Sequence, residues 1–210
     1  MQIDFIADVV CPWCYLGWRR LQKALEMRPD IQANVVWRPY QLDPTLPEEG
    51  VDRKAYMAAK FPDAERREAM GKILDENAAQ DGVVWDMRAI TVSPNTNAAH
   101  RVIRWAQAAG CQEAVLEGVL KAYFSEGKDI GDPVVLADIA GEAGMDRLIV
   151  LKLLSEGADK DVITREHQLA HQAGVSGVPF MIFDGKVAVS GAEPAERLVR
   201  ALDKAVEMAG

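Results

Sequence analysis

Apolar and polar positions alternate at the start of the chain. Ile3, Phe5 and Ala7 share one face of a short predicted strand. Val9 and Val10 run on into Cys11-Pro12-Trp13-Cys14. From Pro12 the apolar period lengthens. Leu16, Leu21, Ala24 and Leu25 fall at helical spacing until Arg28, Pro29 and Asp30 end the helix. Pro12 suits a first helical turn, where its missing N–H costs nothing. Val35, Val36, Trp37 and Tyr40 then predict a second strand, closed by Pro39 and Pro44. The opening is strand, helix, strand.

The pattern changes from about residue 53 to about residue 156, where no strong strand signal occurs. Ser93-Pro94 predicts the start of a helix carrying Ala98, Ala99, Val102, Ile103 and Trp105. Asp132-Pro133 opens another, carrying Leu136, Ile139 and Ala140. Further helices are predicted over 54–60, 63–80, 112–125 and 146–155. Their Met57, Met70, Leu74, Leu116, Leu120, Leu151 and Leu154 read as core. Mixed structure then returns: a helix over 159–173, a Gly-rich turn ending in Val178-Pro179, and a buried strand Phe180–Phe183. Asp184-Gly185 signals a two-residue hairpin turn, and Val187 and Val189 lie on the returning strand. A last amphipathic helix turns Leu198, Val199, Leu202 and Val206 inward. The expected fold class is α/β, with mixed strands and helices at both ends, 1–50 and 158–210, around a helical middle, 51–157.

Composition narrows the function. The chain has 210 residues, 49% hydrophobic and 27% charged, which argues for a packed core rather than disorder. Against 24 Lys and Arg stand 32 Asp and Glu, a net charge of −8 that speaks against a nucleic-acid backbone as partner. No run of about 20 apolar residues occurs, so no membrane span is predicted. The first twenty residues lack a basic region ahead of the apolar stretch and carry Asp4, so no secretory signal is predicted and the expected location is the cytoplasm. Thiols there are kept reduced, and a cysteine pair is then more often catalytic or metal-binding than a structural bridge.

That directs attention to Cys11 and Cys14. A C-x-x-C pair at a strand-to-helix junction is the redox motif of a thioredoxin-like unit. Its first sulfur meets the free N–H groups and positive end of the helix, which favour a thiolate. The second sits one turn on, less exposed, within reach of a mixed disulfide on the first. Cys11 is therefore the expected nucleophile and Cys14 the resolving thiol. Zinc is the alternative, because His167 and His171 share a helix face. They lie about 150 residues from the cysteines, outside the spacing of finger-type sites, and no metal is expected. Cys111 stands alone and reads as a partly buried small residue, with a regulatory thiol as the alternative. Asn95, His100 and Arg101 occupy the first turns of one predicted helix. They are candidates for a cleft opposite Cys11, contacting a polar substrate. A helix cap for Asn95 and a surface ion pair for Arg101 are the alternatives.

CPWCYLGWRRL near the start and GVSGVPFMIFDGKVAVSGAEPAE near the end resemble the DsbA-like oxidoreductases, and more closely their cytoplasmic FrnE-like branch. The central PNTNAAHRVIRWA and DIGDPVVLADIAGEAGMD segments are similar to that branch too. The resemblance covers essentially the whole chain. It implies a thioredoxin-like fold with a large helical insertion and a thiol–disulfide oxidoreductase without a tightly bound cofactor. It also implies that Pro179 is cis and packs against the C-x-x-C, with Pro12 and Trp13 bordering the substrate and Val178 offering backbone groups to an extended one. Substrates would be disulfide-containing proteins or glutathione mixed disulfides, and a homodimer fits the family. Unlike secreted DsbA proteins, this chain has no His between its cysteines, which implies a weaker oxidant. The kappa-class glutathione transferases and 2-hydroxychromene-2-carboxylate isomerases are related, and a glutathione-dependent isomerase or transferase is the alternative. In those a Ser typically stands where this chain has Cys11. Glutathione as co-substrate would be held by Val178 and by Ser190, Gly191, Ala192 and Glu193, placed at the N-terminus of the last helix.

Overall fold

A computed structural model describes residues 1–209. In chain order the elements are β1 (Gln2–Ala7), α1 (Pro12–Glu26), β2 (Asn34–Pro39), β3 (Val51–Asp52), α2 (Arg53–Lys60), α3 (Ala64–Gln80), β4 (Val92–Ser93) and α4 (Asn97–Ala108). There follow α5 (Gln112–Phe124), α6 (Pro133–Glu142), α7 (Arg147–Ser155), α8 (Lys160–Gln172), β5 (Phe180–Phe183), β6 (Val187–Ser190) and α9 (Ala195–Glu207). The chain forms two compact units. One is Met1–Tyr40 with the chain from Arg165 onward, and the other is Gln41–Thr164.

The first unit is a four-stranded mixed sheet in the order β2-β1-β5-β6. β1 runs parallel to β2, with Phe5 opposite Trp37, and antiparallel to β5, with Phe5 opposite Met181. A parallel neighbour requires a crossover, and α1 supplies it. Phe5, Ile6 and Ala7 are all buried, so the alternation at the start of β1 fades toward its end. A central strand covered on both faces reads as a continuous apolar run. Phe5 meets the Trp18 ring edge-on at 5.8 Å and the Trp37 ring at 5.4 Å, which fastens α1 to the sheet. Leu16, Leu21 and Ala24 on α1 are fully buried. A side chain of leucine size contributes about 1.5–3 kcal/mol by leaving water.

Two details of this unit differ from expectation. The inward face of α9 is Ala195, Leu198, Ala201, Leu202 and Ala205, while Val206 is exposed. Small alanines carry the close-packed stripe, and the larger valine lies beyond it. The hairpin loop also holds three residues rather than two, because Phe183 pairs with Val187. Asp184 and Gly185 take positive φ, 53° and 67°, and the turn is closed by Lys186 N–H donating to the Phe183 carbonyl at 3.0 Å.

The second unit is helical apart from a small antiparallel pair, β3 with β4, in which Val51 faces Ser93. β4 lies where no strand was expected, since two residues are too few to show a period. Ser93 therefore belongs to that ladder, and α4 opens at Asn97 with Thr96 as N-cap. The carboxylates of Asp52, Asp63, Asp132 and Asp146 accept N–H groups of the first turns of α2, α3, α6 and α7. The core is made by α5, through Leu116, Val119, Leu120, Tyr123 and Phe124, with Leu136 of α6.

This unit exceeds the predicted 51–157 at both ends. Gln41 donates to Asn95 at 3.2 Å, Asp43 accepts from Tyr56 at 3.1 Å, and Leu46 O accepts from Asn95 at 2.7 Å. Ala158 O accepts from Arg101, and Asp159 accepts from Trp105 at 2.9 Å. Side chains of the helical unit thus claim backbone that the periodicity assigned to its neighbour. Among the described residues no helix is long and apolar enough to cross a membrane.

Candidate active site

β1 delivers the chain to α1 through Asp8, whose carbonyl accepts the Cys11 N–H at 3.1 Å. Cys11 is the N-cap of α1 in extended conformation, and its carbonyl accepts the N–H of Cys14 at 2.9 Å and of Tyr15 at 3.2 Å. The first turn carries no acidic side chain, so nothing there offsets the positive helix end beside the Cys11 sulfur. Both cysteines are reduced and buried, Cys11 at 5% exposure and Cys14 at 0%. Pro12 and Trp13 between them are half-buried.

Burial pushes the Cys14 thiol well above its ordinary range. Its hydrogen bond to Cys11, the Cys11 charge and the buried Asp8 carboxylate add to that, while a backbone hydrogen bond from Asp8 works the other way. Cys14 therefore holds its proton more firmly than an ordinary thiol.

The Val178–Pro179 peptide bond is cis, and the Val178 carbonyl stands 3.9 Å from Cys11 Sγ. Pro179 lies against α1 at Gly17. A Cβ built on Gly17 would meet Pro179 Cγ at 2.8 Å and Pro179 Cβ at 3.3 Å. From the other side Gly191 N–H donates to the Pro179 carbonyl at 2.8 Å. The Arg20 guanidinium, on α1, reaches the neighbouring Ala192 carbonyl at 2.5 Å. The cis-proline loop is thus held to the cysteine-bearing helix at three heights: Cys11, Gly17 and, through the 190–193 turn, Arg20. Behind it Val178 and Phe180 pack against Ile6, Tyr40 and Val175. The His167 ring meets Tyr40 edge-on at 5.1 Å and the His171 ring lies tilted against it at 4.8 Å, so these histidines are ring partners of a tyrosine. Among the described residues no three His, Cys, Asp or Glu side chains converge as a metal would need.

The structure brings Cys11, Pro12, Trp13, Cys14, Val178 and Pro179 together in the first unit, with Ser190–Glu193 beside them. That last segment differs from expectation. α9 opens only at Ala195, with Pro194 as N-cap, so Ser190 to Glu193 are strand end and turn. Their groups are largely engaged: Gly191 N–H by Pro179, Glu193 N–H by the Gly191 carbonyl at 3.0 Å, and the Glu193 carboxylate by Arg197 at 3.2 Å. Asn95, His100 and Arg101 belong to the second unit. His100 is 1% exposed, inside the helical core. Asn95 is spent on Gln41, Leu46 and Asn97, and Arg101 binds backbone carbonyls, where the alternative to a cleft role was a surface carboxylate.

Gly17, Arg20 and Asp8 were not singled out from the sequence. A glycine inside a helical period does signal close packing. The partner it serves, more than 160 positions away, leaves no local trace.

A family model for the DSBA-like thioredoxin domain matches residues 2–203. The chain belongs to the DsbA-like thioredoxin family. Members of this family are oxidoreductases. A probable DsbA oxidoreductase from Streptomyces coelicolor has 30% identity and a TM-score of 0.90, over 99% of this chain and 90% of that one. A 2-hydroxychromene-2-carboxylate isomerase has 19% identity and a TM-score of 0.70, over 99% and 97%. The cytosolic disulfide reductase DsbM of Pseudomonas aeruginosa, solved with GSH, has 16% identity and a TM-score of 0.66, over 99% and 96%. At such identities the last two show a shared fold. Within the DsbA-like fold, the C-x-x-C of this chain stands at the start of α1 and its cis proline directly opposite.

Proposed function

We propose that the protein is a cytoplasmic thiol–disulfide oxidoreductase that exchanges disulfides through Cys11 and Cys14. The observation that carries this reading is the pairing of two reduced cysteines at the start of α1 with the Val178 carbonyl 3.9 Å from the first sulfur. The Cys11 thiolate attacks one sulfur of a substrate disulfide. An S–S bond forms between Cys11 and that sulfur, and the other sulfur leaves as a thiolate and takes up a proton. Cys14 then loses its proton and attacks Cys11 Sγ. This releases the second substrate thiol and leaves Cys11 and Cys14 joined. The substrate gains two electrons and the enzyme loses two; run backwards, the same steps oxidise a dithiol. Val178 offers its backbone to an extended substrate segment in the manner of strand addition. Substrates of this kind are disulfide-bearing polypeptides and mixed disulfides of glutathione.

Cys14→Ser tests the reading. With oxidised glutathione or a disulfide-bonded peptide, the variant should accumulate a mixed disulfide on Cys11, visible as a mass increase removed by dithiothreitol, and should lose turnover. Cys11→Ser should form no such adduct. An isomerase or transferase that only orients the glutathione sulfur at Cys11 would tolerate Cys14→Ser, so a variant with unchanged turnover and no adduct refutes the exchange mechanism. Equilibration of the pair against glutathione then fixes the direction. A potential well below the cytosolic poise makes the protein a reductant, and one well above it an oxidant.

A further inference from the structure

The second unit contains a cavity of about 480 Å³ lined entirely by its own residues. That volume is in the range of small-molecule sites, about 300–1,000 Å³. Much of its wall is apolar, from Leu46, Pro133 and Leu154. Arg101 also lines it, although the residue is only 5% exposed. The guanidinium is fixed from one side. Nε donates to the Ala158 carbonyl at 2.5 Å, and Nη2 donates to the carbonyls of Leu153 at 2.8 Å and Leu154 at 3.3 Å. Trp105 backs the group, its ring centroid 5.3 Å away. The third nitrogen, Nη1, donates to no protein atom among the described residues.

Among the described residues no carboxylate contacts this guanidinium: its acceptors are the carbonyls of Leu153 and Leu154 in the last turn of α7, where the helix dipole favours a cation, and that of Ala158 just beyond. The nearest carboxylates are engaged elsewhere. Asp159 accepts from Trp105 Nε1 at 2.9 Å and faces Arg104 at 3.9 Å, and Glu48 is ion-paired with Lys160. Burial lowers the Arg101 pKa, and the fields of Asp159 and Glu48 only partly oppose that. Glu48 and Lys160 both line the cavity and cancel, which leaves the Arg101 charge as its net charge. A guanidinium fixed through two nitrogens, with the third open, can give one charge-assisted hydrogen bond to a carboxylate oxygen.

We propose that the cavity binds a small organic carboxylate, its apolar body against Leu46, Pro133 and Leu154 and its charged end on Arg101. The cavity shares no lining residue with the thiol site of the first unit.

The test uses the full reduced chain, labelled with ¹⁵N and titrated with three probes: sodium benzoate, its neutral isostere benzamide, and sodium sulfate as an anion without an apolar body. Benzoate should give saturable shifts at the backbone amides of Asn97, Arg101 and Leu154, and should bind at least about tenfold more tightly than benzamide or sulfate. Arg101→Lys keeps the charge but cannot hold the same backbone carbonyls and also present a further fixed N–H, and should weaken benzoate about tenfold. Should that variant not fold, Asn97→Asp sets a carboxylate at the same wall from a half-exposed position and should abolish the benzoate shifts. Three results overturn the proposal. They are benzamide or sulfate matching benzoate, shifts confined to other parts of the chain, and no saturable shift by about 50 mM benzoate.

Discussion

Replacing Gly17 with alanine should slow disulfide exchange far more than its effect on stability explains. Two opposing contributions act on stability. Alanine is the better helix former by about 1 kcal/mol in a helix interior. Against that, the new Cβ would lie 2.8 Å from Pro179 Cγ and 3.5 Å from Met181 Cε. Carbon atoms in contact normally rest about 3.5–4.0 Å apart, so the proline ring must retreat by about 0.7 Å. A ring closed onto its own backbone cannot swing aside as a long side chain does. Overpacking of this kind costs about 1–3 kcal/mol, which leaves a net loss between about zero and 2 kcal/mol. For a chain of this length, 2 kcal/mol lowers Tm by roughly 4–8 °C. The larger effect falls on chemistry. Pro179 carries Val178 with it, and the Val178 carbonyl is already 3.9 Å from Cys11 Sγ. A misplacement approaching 1 Å at a reacting centre costs on the order of a hundredfold in rate, so exchange should slow at least about tenfold.

The assay is the rate of exchange with oxidised glutathione, followed by tryptophan fluorescence, alongside thermal unfolding of the reduced protein. Two other glycines separate the contributions. In Gly118→Ala the new Cβ meets Ile139 Cγ2 at 2.6 Å inside the helical unit, so stability should fall while exchange is unchanged. Gly71→Ala, on α3 with no neighbour within 4 Å, should raise stability by about 1 kcal/mol. The reasoning fails if Gly17→Ala exchanges as fast as Gly118→Ala.

Three further outcomes follow from the geometry. The Cys14 thiol is held above its ordinary range in the folded protein, so its proton contributes stability that is complete below the ordinary thiol value of about 8.5 and is lost as pH rises through the folded value. The reduced protein should therefore lose Tm above about pH 9 more steeply than Cys14→Ser does; parallel curves would contradict this. Arg20→Ala removes the guanidinium that holds the Ala192 carbonyl, at a cost of about 1–3 kcal/mol, and should raise KM for a peptide disulfide more than for oxidised glutathione, which needs less of the backbone platform. Asp146→Ala removes the acceptor for the Leu148 and Ile149 N–H groups at the start of α7 and should cost about 1 kcal/mol by thermal unfolding, with exchange kinetics unaltered.

Much of this fold is legible in the chain because its boundaries are written in strong local chemistry. Pro12 at the first turn of α1, Asp132 before Pro133 and the positive-φ pair Asp184-Gly185 each act within three or four residues. The cysteine pair at the start of α1 is legible for the same reason. What escaped depends on partners distant in sequence. β4 exists because Ser93 finds Val51, and the limits of the helical unit lie where Asn95 and Arg101 reach Leu46 and Ala158. Val206 looked inward because a period weighs a valine above an alanine, whereas close helix packing favours the alanine. The support beneath the cysteines was hidden most completely. Gly17 and Arg20 act on a proline and a turn more than 160 positions further on.

The position of β1 matters while the protein is being made. β1 and β2 leave the ribosome within the first forty residues, but β5, the other neighbour of β1, starts only at Phe180. At about 5–20 residues per second, the interval lasts on the order of ten to thirty seconds. Through that time the strand that will be central has an open edge, and the carbonyl that covers Cys11 has not been synthesised. The nascent chain carries Cys11 and Cys14 uncovered, and vectorial synthesis makes early capture by a foreign disulfide a hazard that the finished sheet, which buries both sulfurs, removes.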